Sequence, residues 1–165
     1  MNRLSLPVVV AGLAFAGAAA APAAAEERSC RGSLGAVTVD NLRVPQGATC
    51  TLTGTRVKGT LKVERAATLR ASNVRVVGNV QAENHKQVNL SGSTVGGSVQ
   101  VKQGGGSSLS GNTVDGDVQY FTNRGTITIR SNRIDGNLQC KENQPAPTGA
   151  GNVVQGNKED QCRRL

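Results

Sequence analysis

Six glycines recur in this chain at nearly constant spacing: Gly59, Gly78, Gly97, Gly116, Gly136 and Gly156 are separated by 19, 19, 19, 20 and 20 residues. Two residues before them stand Val57, Val76, Val95, Val114, Ile134 and Val154. Leu61, Val80, Val99, Val118 and Leu138 stand two residues after the first five, and Val63, Ala82, Val101, Tyr120 and Cys140 four after. One period upstream the register continues through Asp40, Leu42 and Val44, without the glycine. Val-x-Gly-x-Val-x-Val alternates with period two, which marks strand with one face buried. A second apolar column, Leu52, Ala71, Leu90, Leu109 and Ile129, is followed by turn formers such as Gly92, Gly111 and Ser131, which can reach positive φ.

A unit this short cannot bury its own apolar face, whereas stacked copies share one continuous core. The arrangement that places equivalent positions directly above one another is an all-β, single-domain parallel β-helix. About six coils at roughly 4.8 Å spacing give a rod of about 30 Å. The preference for right-handed crossovers between parallel strands, and a period longer than the roughly eighteen residues of hexapeptide helices, predict the right-handed form. An antiparallel sandwich or barrel also uses short, evenly spaced strands, but has no reason to repeat residue type at the same phase. Composition agrees. With no Trp, one Tyr and two Phe, an ordinary globular core would be hard to fill, and 18% charged residues with recurrent Val and Leu disfavour disorder.

Residues 1–25 read as a secretion signal: Arg3 is the positive flank, Leu4 to Ala21 the apolar run, and Ala23, Ala24 and Ala25 the small residues at a cleavage site. The mature domain is then 26–165, with no later segment able to span a bilayer. The chain carries a formal net charge of +8, of which Arg3 leaves with the leader.

Four cysteines in an exported chain allow three pairings. Cys30 and Cys50 lie 20 residues apart and Cys140 and Cys162 lie 22 apart, each close to one coil. Cys50 and Cys140 are almost five coils apart, well beyond the reach of a disulfide, so both crossed pairings fail. The expected bonds staple the first and last coils. A zinc site is disfavoured because no CxxC pair exists and His85 is the only histidine.

Outward strand positions carry the candidate chemistry. Arg56, Lys58, Thr60 and Lys62 occupy them in one coil and Arg75, Val77, Asn79 and Gln81 in the next, placing Arg56 under Arg75 and Arg43 under Lys62. Stacked cations are unfavourable unless they splay into water or hold an anion. Arg43, Arg56, Lys58, Lys62 and Arg75 are therefore the candidate site for an acidic polysaccharide or lipopolysaccharide phosphate, beside the plainer reading of a solvated surface. No aromatics interleave with these cations, which disfavours nucleic acid. Asp115, Asp117 and Asp135 form a weaker calcium candidate, with Arg133 as an alternative neutraliser. Gln81, Gln100, Gln119 and Gln139 read as an amide ladder. Catalysis is not expected: loops are short, His85 has no partner nucleophile, and Asp115 over Asp135 is too close for a glycosidase pair. No cofactor is implied.

The segment from Gly92 to Val101 and the ending Asn137-Leu138-Gln139-Cys140 with Pro145 to Gly149 and Asn157 to Cys162 resemble a group of small exported bacterial β-helix proteins of uncharacterised function. The resemblance spans Cys30 to Cys162 and implies export and a β-helix fold, with no catalytic residue. A weaker similarity is to bactofilins, which polymerise end to end. Lys158, Glu159, Asp160, Arg163 and Arg164 read as a charged cap that discourages such stacking, so a monomer is expected. The expected function is a secreted or periplasmic, non-enzymatic module for an anionic surface polymer. A structural protein assembling through coil ends is the alternative, and a carbohydrate-active enzyme the remote one.

Overall fold

The computed structural model describes residues 25–165; the signal sequence falls outside them except for Ala25. All strands are short and parallel, and they stack into three sheets that wrap one core in about seven turns. Sheet A contains Glu27–Ser29, Asn41–Val44, Leu61–Val63, Val80–Glu83, Val99–Lys102, Val118–Phe121, Leu138–Lys141 and Lys158–Asp160. Sheet B contains Gly32–Leu34, Thr49–Thr53, Thr68–Ser72, Gln87–Ser91, Gly106–Ser110, Ile127–Arg130 and Thr148–Ala150. Sheet C is built from the two-residue strands Thr38–Val39, Arg56–Val57, Arg75–Val76, Thr94–Val95, Thr113–Val114, Arg133–Ile134 and Val153–Val154. The count exceeds the expected six coils because Glu27–Ser29 and Gly32–Leu34 add a partial first coil that lacks the glycine signature.

The register matches the sequence columns. Val57 lies on Val76, Leu61 on Val80, and Ala71 on Leu90, so apolar residues stack on apolar ones along most of each column. Each column is buried: Leu42, Leu61, Val80, Val99, Val118 and Leu138 on sheet A, and Val57, Val76, Val95, Val114 and Ile134 on sheet C. Gly92, Gly111 and Ser131 hold the corner between sheets B and C at φ of 55°, 64° and 53°.

The periodic glycine has a different role from the expected one. Val-x-Gly-x-Val-x-Val is not a single strand; the chain turns at the glycine from sheet C to sheet A. The Gly78 N–H donates to the Gly59 carbonyl at 3.0 Å and Gly97 to Gly78 at 3.0 Å, so these corners stack backbone on backbone. A Cβ on Gly78 would stand 2.7 Å from the Gly59 oxygen. Steric room between coils, not unusual φ, demands glycine here. Asp40 can replace it at the first corner because, among the described residues, no glycine corner lies below it and it borders a depression lined by Glu26, Arg28, Thr38 and Val39.

Cys30 bonds Cys50 and Cys140 bonds Cys162, with Cα separations of 5.6 and 5.2 Å. Two disulfides fit an oxidising setting, extracellular or periplasmic. No described helix is long and apolar enough to cross a membrane.

The interior holds polar columns that the period-two pattern does not announce. Asn112, Asn132 and Asn152 point inward at one corner and Asn123 and Asn143 at another, all buried. Asn132 Oδ1 accepts from both the backbone N–H and the side-chain Nδ2 of Asn112, each at 3.0 Å, while Asn132 Nδ2 donates to Leu109 O and Asn152 Oδ1 at 2.9 Å. Asn123 stacks under Asn143 in the same way. The turns lose ladder partners at these corners, and the asparagine amides supply what buried backbone groups require.

Candidate anion-binding surface

The five candidate cations do not share one face. Because the chain turns at Gly59, Arg56, Lys58 and Arg75 lie on or beside sheet C, while Arg43 and Lys62 lie on sheet A. The two predicted stacks are present: Arg56 pairs in register with Arg75, and Arg43 with Lys62. Their charge states of neighbourhood differ. Arg43 Nε lies 2.9 Å from Glu27 and its Nη1 3.6 Å from Glu64, and Lys58 Nζ lies 2.9 Å from Asp40. The hydrogen bond and charge of Lys58 hold the Asp40 carboxyl below its ordinary range. Arg56, Arg75 and Lys62 have no carboxylate within ion-pair distance among the described residues. The geometry thus separates two neutralised cations from three available ones, a distinction invisible without side-chain positions.

The acidic trio is likewise divided. Asp117 Oδ1 accepts the Asn137 backbone N–H at 2.7 Å, one step of a column in which Asn79, Ser98, Asp117 and Asn137 each cap the residue above. Asp135 accepts from Gln155 at 2.8 Å and lies 3.5 Å from Arg133. Among the described residues no cluster of three or more His, Cys, Asp or Glu is arranged to hold a metal. Asp117 thus belongs to the turn column, and Asp135 is held at the surface by Gln155 and Arg133. The glutamine ladder is confined to the upper coils, where Gln119 donates to Gln139 at 2.9 Å and Gln139 to Glu159 at 2.8 Å.

Sheet A carries residues that reasoning from the sequence left unassigned. Lys102, Phe121 and Lys141 stack in register on its outer side, with Lys102 Nζ 5.7 Å from the Phe121 ring centroid. An aromatic thus interleaves with cations here, although not with the five candidate cations. The signal was present: Phe121 follows the inward Tyr120, so alternation turns it outward, and the lysines are one period away on either side. Below them a shallow depression of about 260 Å³ is lined by Lys62, Gln81, Glu83, Gln100 and Lys102, with Val63 and Ala82 at its floor.

His85 takes no part in this surface. It is buried at the corner between sheets A and B, where a side chain on Gly104 would collide with the imidazole, and neither ring nitrogen has a hydrogen-bond partner. Burial pushes its pKa down from 6.5 to about 4, with the Gly106 backbone a smaller opposing influence. The unfolded chain therefore binds this proton more readily than the folded one. The contribution of His85 is intact above pH 6.5 and is lost as pH falls toward 4, by about 3 kcal/mol in total. Urea midpoints of the wild type should fall over that range, and His85→Gln should flatten the fall; an equal slope in both proteins would disprove the assignment.

The fold and surface define a class: a disulfide-closed, all-β parallel solenoid with polar outer faces. No protein-family model, curated protein or solved structure matches this chain. The resemblance to exported β-helix proteins therefore extends to the solenoid shape, and the likeness to bactofilins gains nothing further.

Proposed function

We propose that the protein is an exported, non-catalytic β-solenoid that binds an anionic polymer of the cell surface, an acidic polysaccharide or lipopolysaccharide. The observation that carries the reading is Arg56 in register with Arg75 without a neighbouring carboxylate among the described residues. Two like charges one strand spacing apart repel, and a polyanion lying across the coils relieves that repulsion. Arg70, exposed on sheet B, adds charge at the same level of the rod, since its strand pairs with Thr49–Thr53.

The rod ends support a free module rather than a filament. The apolar column from Leu42 to Leu138 is ended by Arg28 on one side and by Lys158 on the other, the latter donating to the Asn152 carbonyl at 3.0 Å. A head-to-tail stack would set these two cations against each other, which opposes polymerisation. Leu165 and the turn after Cys162 also pack over the last coil.

The test is retention on immobilised heparin as salt is raised. The double variant Arg56→Ser, Arg75→Ser is expected to elute at clearly lower salt than the wild type, because each lost sulfate or carboxylate contact reduces counterion release. Identical elution would remove the sheet C pair from the reading.

A further inference from the structure

We propose that the outer side of sheet A is a polysaccharide-reading strip with a subsite for a uronate sugar, centred on Phe121 between Lys102 and Lys141. This rests on the anionic-polymer reading above and assigns the ligand class.

The strip follows from register. Lys102, Phe121 and Lys141 occupy one column on three consecutive strands, about 4.8 Å apart. Their inward neighbours Val101, Tyr120 and Cys140 are buried, so alternation turns all three outward. Phe121 is the one aromatic ring presented outside among the described residues, since Tyr120 is fully buried. Lys102 has an acid, Glu83, in register below it, yet makes no ion pair with it and instead lies over the Phe121 ring. Both residues are half-buried, and a single cation–π contact of this kind is weaker than a charge-assisted hydrogen bond, so the ammonium can turn to a ligand carboxylate. Lys141 is exposed and has no ion-pair partner among the described residues.

The neighbouring column supplies the other half of a sugar site. Gln119 and Gln139 stand two residues before Phe121 and Lys141 on the same outer side, and their mutual hydrogen bond, continued to Glu159, fixes the amides in place. A sugar ring offers an apolar C–H face to an aromatic ring, hydroxyls to amides and, in a uronate, a carboxylate to lysine. Phe121, the glutamines and the two lysines match these three demands on one flat surface. The depression from Lys62 to Lys102 continues the strip toward the first coils, so a polymer would run along the rod across successive strands. Charge complementarity points the same way: Lys62, Lys102 and Lys141 lie along it, against Glu83 in the depression and Glu159 at the end of the glutamine column. A nucleic acid is less well served, because one ring offers a single stacking platform rather than a series.

The experiment measures affinity of the mature, oxidised protein for three probes: an oligogalacturonate, inorganic polyphosphate and an oligodeoxythymidylate. Phe121→Leu is expected to weaken oligogalacturonate roughly three- to tenfold while leaving polyphosphate unchanged. Lys102→Gln with Lys141→Gln should weaken oligogalacturonate as well, and circular dichroism should match the wild type for both variants. Unchanged oligogalacturonate affinity in Phe121→Leu overturns this proposal alone if the wild type binds both polyanions. A wild type that binds neither polyanion overturns the anionic-polymer reading and this one with it. A Phe121-dependent preference for oligodeoxythymidylate over oligogalacturonate also overturns the uronate assignment.

Discussion

Replacing Asn132 by Leu should lower the unfolding free energy by about 3 kcal/mol, a large part of the stability of an ordinary domain. The side chains are similar in size, so the loss is one of partners rather than of volume. Asn112 would keep its buried backbone N–H and its Nδ2 hydrogen but lose their common acceptor, and the Leu109 carbonyl would lose a donor. Buried groups left unpaired cost more than the bonds contributed. Urea denaturation followed by far-ultraviolet circular dichroism measures the change. A midpoint equal to that of the wild type would show that the amide column adds nothing to stability.

Gly97→Val should cost a comparable amount, about 3 kcal/mol, through overpacking rather than through lost polar partners. The first atom of the new side chain would stand 2.9 Å from the Gly78 oxygen and collide with Asn79 Oδ1, which accepts the Ser98 N–H at 2.8 Å. The corner must open, and the spacing between two coils opens with it. Asp40→Ala at the equivalent first corner should be tolerated within about 0.5 kcal/mol, the usual range for surface changes. Thermal unfolding of both variants gives the comparison, and equal losses at the two positions would refute the steric account of the repeat.

Much of this fold can be read from the chain because a solenoid translates sequence phase directly into contact. Leu61 on Val80, the Cys30–Cys50 bond and the Arg56–Arg75 stack all follow from counting. What counting misses is where one coil bends. Period two runs unbroken through Gly59, yet the chain turns there, so Arg56 and Lys62, read as neighbours on one face, belong to different sheets. Counting also cannot separate an asparagine that faces inward at a corner from one that sits in solvent. Asn112 and Asn132 have turn formers beside them in sequence, and only the coil above and below shows what their amides bond. The candidate surface was half legible for the same reason: charge positions were fixed by phase, whereas Glu27, Glu64 and Asp40, which neutralise Arg43 and Lys58, approach from other columns and coils.

One pair inside the rod bears on how so repetitive a chain chooses its alignment. Tyr120 replaces the aliphatic residue of its column, and Ser107, the small member of the facing sheet B column, meets its hydroxyl at 3.0 Å. Slippage by one whole coil would preserve nearly every valine and leucine contact. It would, however, press the phenol against Val88 or Ile127, whose bulk leaves no space and whose side chains offer no oxygen. A single mismatched tooth of this kind keys each rung to its proper neighbours, giving a sequence of near-identical parts one correct frame.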